Sequence, residues 1–347
     1  MSTNDYDYQL PRHLIAQQPL IQRVDARLMV VDRSAQSIDH WHVRDLPDLL
    51  HPSDCLVVND SQVIPARLVG RRSMTGGHWE GLFLEADDSG FWKLLGKTRG
   101  KLQAGEFVTL LDHAGTDNLK LHMIEQIEGG QWLARPDSSE DTWEILQRVG
   151  RVPLPHYIRG GEMCEEDRQR YQTVYARYPG SVAAPTAGLH FSRPLLDRLE
   201  QDGIDIAPVT LHVGLDTFRP ITTETLDAHV MHTEWGQIDE EAAQRIGRCR
   251  TRGGRILAVG TTSVRVLESA ATSSPLHAWS GSTDLFIRPP YQFRNVDAMM
   301  TNFHLPRTTL LVLVRCFGGD ALIQHAYEEA IRQEYRFYSY GDTMLIL

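Results

Sequence analysis

Between about residues 66 and 150 apolar and polar positions alternate in short runs. They are Ala66-Arg67-Leu68-Val69, Glu80-Gly81-Leu82-Phe83-Leu84-Glu85, Phe91-Trp92-Lys93-Leu94-Leu95, Phe107-Val108-Thr109-Leu110-Leu111, Leu119-Lys120-Leu121-His122-Met123-Ile124 and Gln131-Trp132-Leu133-Ala134. Gly76-Gly77, Asp87-Asp88-Ser89-Gly90 and Gly129-Gly130 separate several of them. A period of two broken by turn residues at this spacing predicts six short strands closing into a small antiparallel β-barrel.

On both sides of this stretch the period changes. Ser192 reads as an N-cap with Pro194 in the first turn, and the helix over 195–200 stops at Gly203. A strand is expected over 204–213, then a helix from about Glu240 to Gly253-Gly254 and the apolar strand Ile256-Leu257-Ala258-Val259. A turn at Gly260-Thr261-Thr262 and a helix from Val264 to Ser269 follow. Leu310 to Phe317 reads as a buried helix ending at Gly318-Gly319, and an amphipathic helix spans 321 to about 335. Strands alternating with helices indicate a sheet covered by helices. The expected architecture is therefore a mixed α/β (α+β) main domain, residues 1–65 plus 151–347, with an antiparallel β-barrel domain inserted over 66–150.

Composition narrows the function classes. The chain of 347 residues has no apolar run of about 18 or more, so no membrane helix is expected, and Met1 to Tyr8 is polar and acidic, unlike a secretory leader. Cys55, Cys164, Cys249 and Cys316 form no C-x-x-C pair, which argues against a disulfide scaffold or zinc knuckle and fits a reducing cytoplasm. The formal net charge of −10 speaks against bulk nucleic-acid binding and leaves room for a local basic patch. Arg67/Arg71/Arg72, Lys97/Arg99/Lys101 and Arg168/Arg170 are the clusters that qualify, and scattered solvated surface cations are the favoured reading of each.

Several strand-end turns carry candidate chemistry. Pro185-Thr186-Ala187-Gly188-Leu189-His190 and Thr210-Leu211-His212-Val213-Gly214 each place an imidazole beside a glycine. The Gly260-Thr261-Thr262-Ser263 turn lies at the carboxyl end of a strand and opens a helix, where unpaired N–H groups favour carboxylates or phosphates. Arg265, one turn in, would clamp an anion or pair with Glu268. Asn302 and His304 alternate in an extended segment and would share a face. Asn59-Asp60-Ser61 is another strand-end turn, open to an Asx-turn reading or to a catalytic or ribose-binding Asp60. Tyr335-Arg336-Phe337-Tyr338-Ser339-Tyr340-Gly341-Asp342 combines aromatics, an arginine and a glycine turn, and offers aromatic faces for a cation, a base or the core. His229, His232 and Glu234 form an H-x-x-H-x-E string that only loosely resembles metal-ligand spacing, and no metal is expected.

Taken in order, these segments resemble the S-adenosylmethionine:tRNA ribosyltransferase-isomerase family of queuosine biosynthesis. The resemblance rests on Asp7-Tyr8-Gln9-Leu10-Pro11, the run Val58 to Leu68, Leu154-Pro155-His156-Tyr157-Ile158, Ala184 to Phe191, Thr210 to Gly214, Met231-His232-Thr233-Glu234, Val259 to Arg265, Thr301 to Pro306 and Tyr338 to Asp342. It implies a two-domain fold with an inserted barrel. It implies transfer of the ribosyl part of S-adenosylmethionine to 7-aminomethyl-7-deazaguanine at the tRNA wobble position, giving epoxyqueuosine, adenine and methionine. Two departures stand out: Asp216 where the family usually has glycine, and Arg288-Pro289-Pro290-Tyr291 in place of a glycine-containing turn.

The chemistry calls for proton transfers near neutral pH, which imidazoles suit. His190, His212 and His304 are expected to line the site, with Asp60 as a further catalytic candidate. Thr186, Gly188, Gly260, Thr261, Thr262, Arg265, Asn302 and Tyr340 are expected around S-adenosylmethionine, which is consumed as co-substrate. The expected partner is tRNA carrying the deazaguanine precursor in its anticodon loop, bound by a cytoplasmic monomer through arginine clusters. Two rival functions remain at this point: an S-adenosylmethionine-dependent RNA methyltransferase, and a non-catalytic tRNA-binding module.

Overall fold

A computed structural model describes residues 1–214, 219–271 and 276–347. Asp216 lies outside the described residues. In chain order the strands are β1 (Arg27–Asp32), β2 (Ser37–His42), β3 (Cys55–Asn59), β4 (Ser61–Val63), β5 (Arg67–Arg72), β6 (His78–Ala86), β7 (Trp92–Thr98), β8 (Phe107–Leu111), β9 (Asp117–Gln126), β10 (Gln131–Pro136), β11 (Gly150–Arg151), β12 (Tyr178–Ser181), β13 (Asp205–Leu211), β14 (Glu234–Ile238), β15 (Ile256–Val259), β16 (Trp279–Thr283), β17 (Ala298–Asn302) and β18 (Thr343–Ile346). The helices are α1 (Leu46–Leu49), α2 (Thr142–Val149), α3 (Asp167–Arg170), α4 (Arg193–Gln201), α5 (Glu240–Thr251), α6 (Thr261–Ser269), α7 (Thr309–Gly318) and α8 (Asp320–Arg332). The chain forms two compact units, 1–62 with 156–160 and 169–347, and 63–155 with 161–168.

The larger unit is built on a nine-stranded sheet in the order β16-β14-β13-β3-β15-β17-β18-β1-β2. The four middle strands β13, β3, β15 and β17 are mutually parallel, and β17 then pairs antiparallel with β18. Strands buried on both faces need apolar residues at every position, which is why Cys55-Leu56-Val57-Val58 and Ile256-Leu257-Ala258-Val259 run without alternation. Their side chains still divide by parity. Cys55, Val57, Ile256, Ala258 and Met299 face a core completed by α5, α6, α7 and α8. Leu56, Val58, Leu257, Val259 and Met300 face one completed by Leu195, Leu196 and Leu199 of α4.

The smaller unit is a closed barrel. Its strands follow β5-β6-β7-β10-β9-β8, and β8 returns to pair with β5; β11 adds to β5. All six strands expected from the alternating runs are present. Their inward positions supply Trp79, Trp92, Leu94, Leu110, Leu121 and Met123, each buried. Among the described residues, no helix is long and apolar enough to cross a membrane.

Three element boundaries differ from the sequence reading. Strand β13 ends at Leu211 rather than 213 because the Val213 N–H turns to the Ser181 hydroxyl. Helix α8 stops at Arg332, where the chain leaves the helical region and Glu334 takes a φ of +54°. Helix α6 begins at Thr261 rather than Val264, because Gly260 alone makes the turn with a φ of +88°, a conformation that a side chain would strain. The Pro289–Pro290 peptide is cis.

Candidate functional site

The carboxyl ends of four adjacent parallel strands carry most of the expected site. Asp60 follows β3, His212 follows β13, Gly260 follows β15, and Asn302 ends β17 with His304 two residues on. Ligands in open α/β sheets bind at this edge, where side chains leave the sheet and helices present their N-termini.

Helix α6 points such an N-terminus at the edge. Helices α4, α5 and α7 are capped by Ser192, Asp239 and Thr308, whose side chains accept from the backbone one turn in. Gly260 offers α6 no such cap. The first-turn N–H groups therefore remain as donors in an electropositive spot. Thr261, Thr262 and Ser263 do not cap the helix; they lie inside its first turn, and Ser263 Oγ donates back to Val259 O at 2.9 Å. Thr262 is 7 % exposed and its Oγ1 has no partner among the described residues. Thr186, Gly260, Thr261, Thr262, Asn302 and His304 line one depression here.

Asn302 shows a second unspent polar atom. Its Nδ2 donates to Tyr338 O at 3.2 Å and Asp342 O at 3.4 Å, and lies 3.1 Å from His190 Nε2. Carbonyls only accept, so the amide nitrogen is fixed on that side and His190 Nε2 is the acceptor. The amide oxygen then faces the other way, buried and without a partner among the described residues. Buried polar atoms in this condition are rare and point to water or a ligand.

The three histidines fall into different surroundings. His304 Nε2 lies 2.7 Å from Thr301 Oγ1. His190 closes the turn Thr186–His190 and, with Tyr340, Arg23 and Arg170, lines a neighbouring depression. Burial pushes both imidazoles down to about 3; for His190 the Arg23 and Arg336 cations add to the effect. His212 is not among the residues of these depressions. Its ring stacks on Trp235 with centroids 5.4 Å apart and lies close to Gly180, where a Cβ would come within 2.9 Å of it. Burial lowers its pKa, and its Nδ1 has no partner among the described residues. Asp60 is 3 % exposed and accepts from Thr210 Oγ1 at 2.7 Å. Burial raises its pKa to about 6, against the opposing effects of Thr210 and Arg177.

Gly188 is needed by its neighbour rather than by the depression: a Cβ there would lie 2.1 Å from Tyr175 OH. Tyr175 was given no role by sequence, because nothing local links it to the turn it packs against.

Arg265 does not pair with Glu268. It forms a buried ion pair with Glu234, which also accepts from Gly214 N at 2.8 Å. Glu268 instead takes the Tyr291 hydroxyl and the N–H groups of Arg294 and Asn295. The Arg265–Glu234 pair borders a separate cavity of about 410 Å³, with Arg219, His229, His232 and Phe286 in its lining. Leu310 lines both this cavity and the depression at α6. Glu234 is thus committed within the H-x-x-H-x-E string, and among the described residues no group of three or more His, Cys, Asp or Glu is placed to hold a metal ion. Of the basic clusters, Arg67, Arg71 and Arg72 are each paired with a carboxylate.

A family model described as queuosine biosynthesis protein matches residues 3–346. The crystal structure of an S-adenosylmethionine tRNA ribosyltransferase from Thermotoga maritima is similar over 99% of this chain and 100% of its own, with 35% sequence identity and a TM-score of 0.57.

Proposed function

The chain belongs to the queuosine biosynthesis protein family, and from that membership we infer that it is an S-adenosylmethionine:tRNA ribosyltransferase-isomerase. It transfers the ribosyl group of S-adenosylmethionine to 7-aminomethyl-7-deazaguanine at the tRNA wobble position and isomerises it, releasing adenine and methionine. The observation that carries this reading is the family match over residues 3–346 together with 35% identity to the Thermotoga enzyme across nearly the whole chain.

The depression at α6 suits the methionine end of the substrate. An amino-acid zwitterion brings a carboxylate and an ammonium. The free N–H groups of α6 and the Thr262 hydroxyl are donors for the first, and Asn302 Oδ1 is an acceptor for the second. Thr186, Gly260, Thr261 and His304 complete the wall. Arg265, already neutralised by Glu234, is better suited to shaping the larger cavity, whose volume fits a nucleobase with part of its sugar.

The reaction needs a base for the ribose C–H made acidic by the sulfonium, a proton for departing adenine, and a sink for the proton of the attacking amine. His190 and His304 are neutral at neutral pH, so they act as hydrogen-bonding imidazoles rather than as stored acids. Asp60 titrates near 6, close to where a general base works well. We assign it the proton-accepting role, with Thr210 holding its orientation. His212 and Tyr340 line the approach of the RNA base, which a single-stranded anticodon loop can present without breaking a duplex.

Incubating the protein with S-adenosylmethionine and tRNA bearing the deazaguanine precursor tests the reading. Adenine and methionine in equal amounts are expected. S-adenosylhomocysteine would indicate methyl transfer, and tRNA binding without consumption of S-adenosylmethionine a binding module; either overturns it.

A further inference from the structure

Four cations of the barrel unit's sheet are paired with carboxylates, whereas Lys120 and Arg135 are exposed without such a partner among the described residues and Arg151 donates to Asp112 O. Arg67 reaches Glu80 and Glu162, Arg71 reaches Asp117, Arg72 reaches Glu106, and Lys93 reaches Glu85. Lys97, Arg99 and Lys101 differ in standing together within five residues. All three are exposed, and among the described residues none of their side chains has a hydrogen bond or ion pair, although Lys97 lies opposite Glu80 in the β6–β7 ladder. The chain from residue 94 to residue 105 contains no Asp or Glu.

The segment that carries them is held at its base. Leu102 is buried, and Glu106 accepts from Arg72 Nε at 2.9 Å, Arg72 Nη2 at 2.7 Å and Gln103 N at 2.8 Å. The one carboxylate nearest in sequence is therefore consumed in fixing the loop, and Thr98 Oγ1 ties the end of β7 to His78 O at 2.8 Å. Three like charges within five residues on a fixed segment repel one another, and a polyanion relieves that repulsion. Exposed cations hold a lone small anion weakly, whereas several on one segment can engage successive phosphates and release their counterions. On a chain of net charge −10, clustered exposed cations are the kind of feature that attracts a polyanion.

We propose that the segment Lys97–Lys101, the end of β7 and the turn after it, is a docking point for the phosphate backbone of the tRNA. The proposal rests on the ribosyltransferase reading above and adds where RNA is held. Lys97, Arg99 and Lys101 supply affinity without sequence preference, because phosphate contacts position a nucleic acid and do not read it.

The test is adenine release against tRNA concentration at several salt concentrations, for wild type and for the triple variant Lys97→Ala/Arg99→Ala/Lys101→Ala. The KM for tRNA should rise about 10- to 50-fold near 0.15 M salt, and the slope of log KM against log salt should fall by about 2 to 3. The KM for S-adenosylmethionine should stay within twofold. Arg71→Ala, which removes a cation already paired with Asp117, should leave the KM for tRNA within twofold. Arg99→Gln alone should raise it about threefold, which keeps the proposal testable should the triple variant lose the near-ultraviolet signal of buried Trp79 and Trp92. Wild-type KM and salt slope in the triple variant and in Arg99→Gln would overturn the loop assignment. Absence of adenine release by wild type would instead overturn the ribosyltransferase reading.

Discussion

Replacing Asp60 by Asn should remove a pH dependence of stability that the burial of this carboxyl imposes. Folding raises its pKa from 3.8 to about 6. The protonated form is thus favoured in the folded state, so this group's contribution is fully present below 3.8 and is lost as pH rises through about 6. The whole rise corresponds to about 3 kcal/mol at 1.36 kcal/mol per pH unit, and about 2 kcal/mol of it separates pH 4.5 from pH 7. Asn keeps an oxygen for the Thr210 hydroxyl and cannot ionise. Urea unfolding of wild type and Asp60→Asn at pH 4.5, 5.5, 6.5 and 7.5 gives the difference directly, with other titrations cancelling. Relative to the variant, wild type should gain about 2 kcal/mol on going from pH 7 to pH 4.5. Adenine release by wild type should fall below about pH 6, as Asp60 becomes protonated, and Asp60→Asn should be slow at every pH. A stability difference that stays constant across this range would refute the reasoning that burial, uncompensated by Thr210 and Arg177, controls this carboxyl.

Other variants probe other parts of the account. Asn302→Ala should weaken S-adenosylmethionine binding by about 10-fold by calorimetry, roughly the worth of one hydrogen bond to a charged group; an unchanged Kd would remove Asn302 Oδ1 from the site. Arg265→Ala leaves Glu234 buried without its cation and should cost about 3–5 kcal/mol in chemical denaturation, whereas a loss under 1 kcal/mol would mean that the pair is well solvated. Gly188→Ala should cost about 1–3 kcal/mol through collision with Tyr175 OH, and Tyr175→Phe in the same chain should recover much of that; strict additivity of the two changes would contradict the contact. Alanine at His190, His212 and His304 in turn should slow adenine release; full activity in all three folded variants would remove the imidazoles from the reaction.

The barrel was legible because each of its strands has one face in the core, so the period of two survives in the sequence. The central strands of the larger sheet were legible for the opposite reason, since burial on both faces leaves short unbroken apolar runs at β3 and β15. What sequence could not supply were partners brought together over distance. Arg265 meets Glu234 across 31 positions, and Asn302 meets His190 across 112. A single chain carries no local trace of either pairing, so Glu268, one turn away, was the natural partner to expect for Arg265. The α6 boundary was missed by local chemistry: Gly-Thr-Thr reads as a turn, yet Gly260 makes that turn by itself and frees the threonines for the helix. That shift sharpens the site, because it sets Thr262 and the uncapped N–H groups in the first turn rather than before it.

The most direct test of the carboxyl-edge site is a crystal structure of the protein with S-adenosylmethionine. The account predicts the methionine carboxylate on the N–H groups at the start of α6 and the Thr262 hydroxyl, with the ammonium on Asn302 Oδ1. A carboxylate held by Arg265 in the larger cavity, with the start of α6 free of ligand, would contradict it.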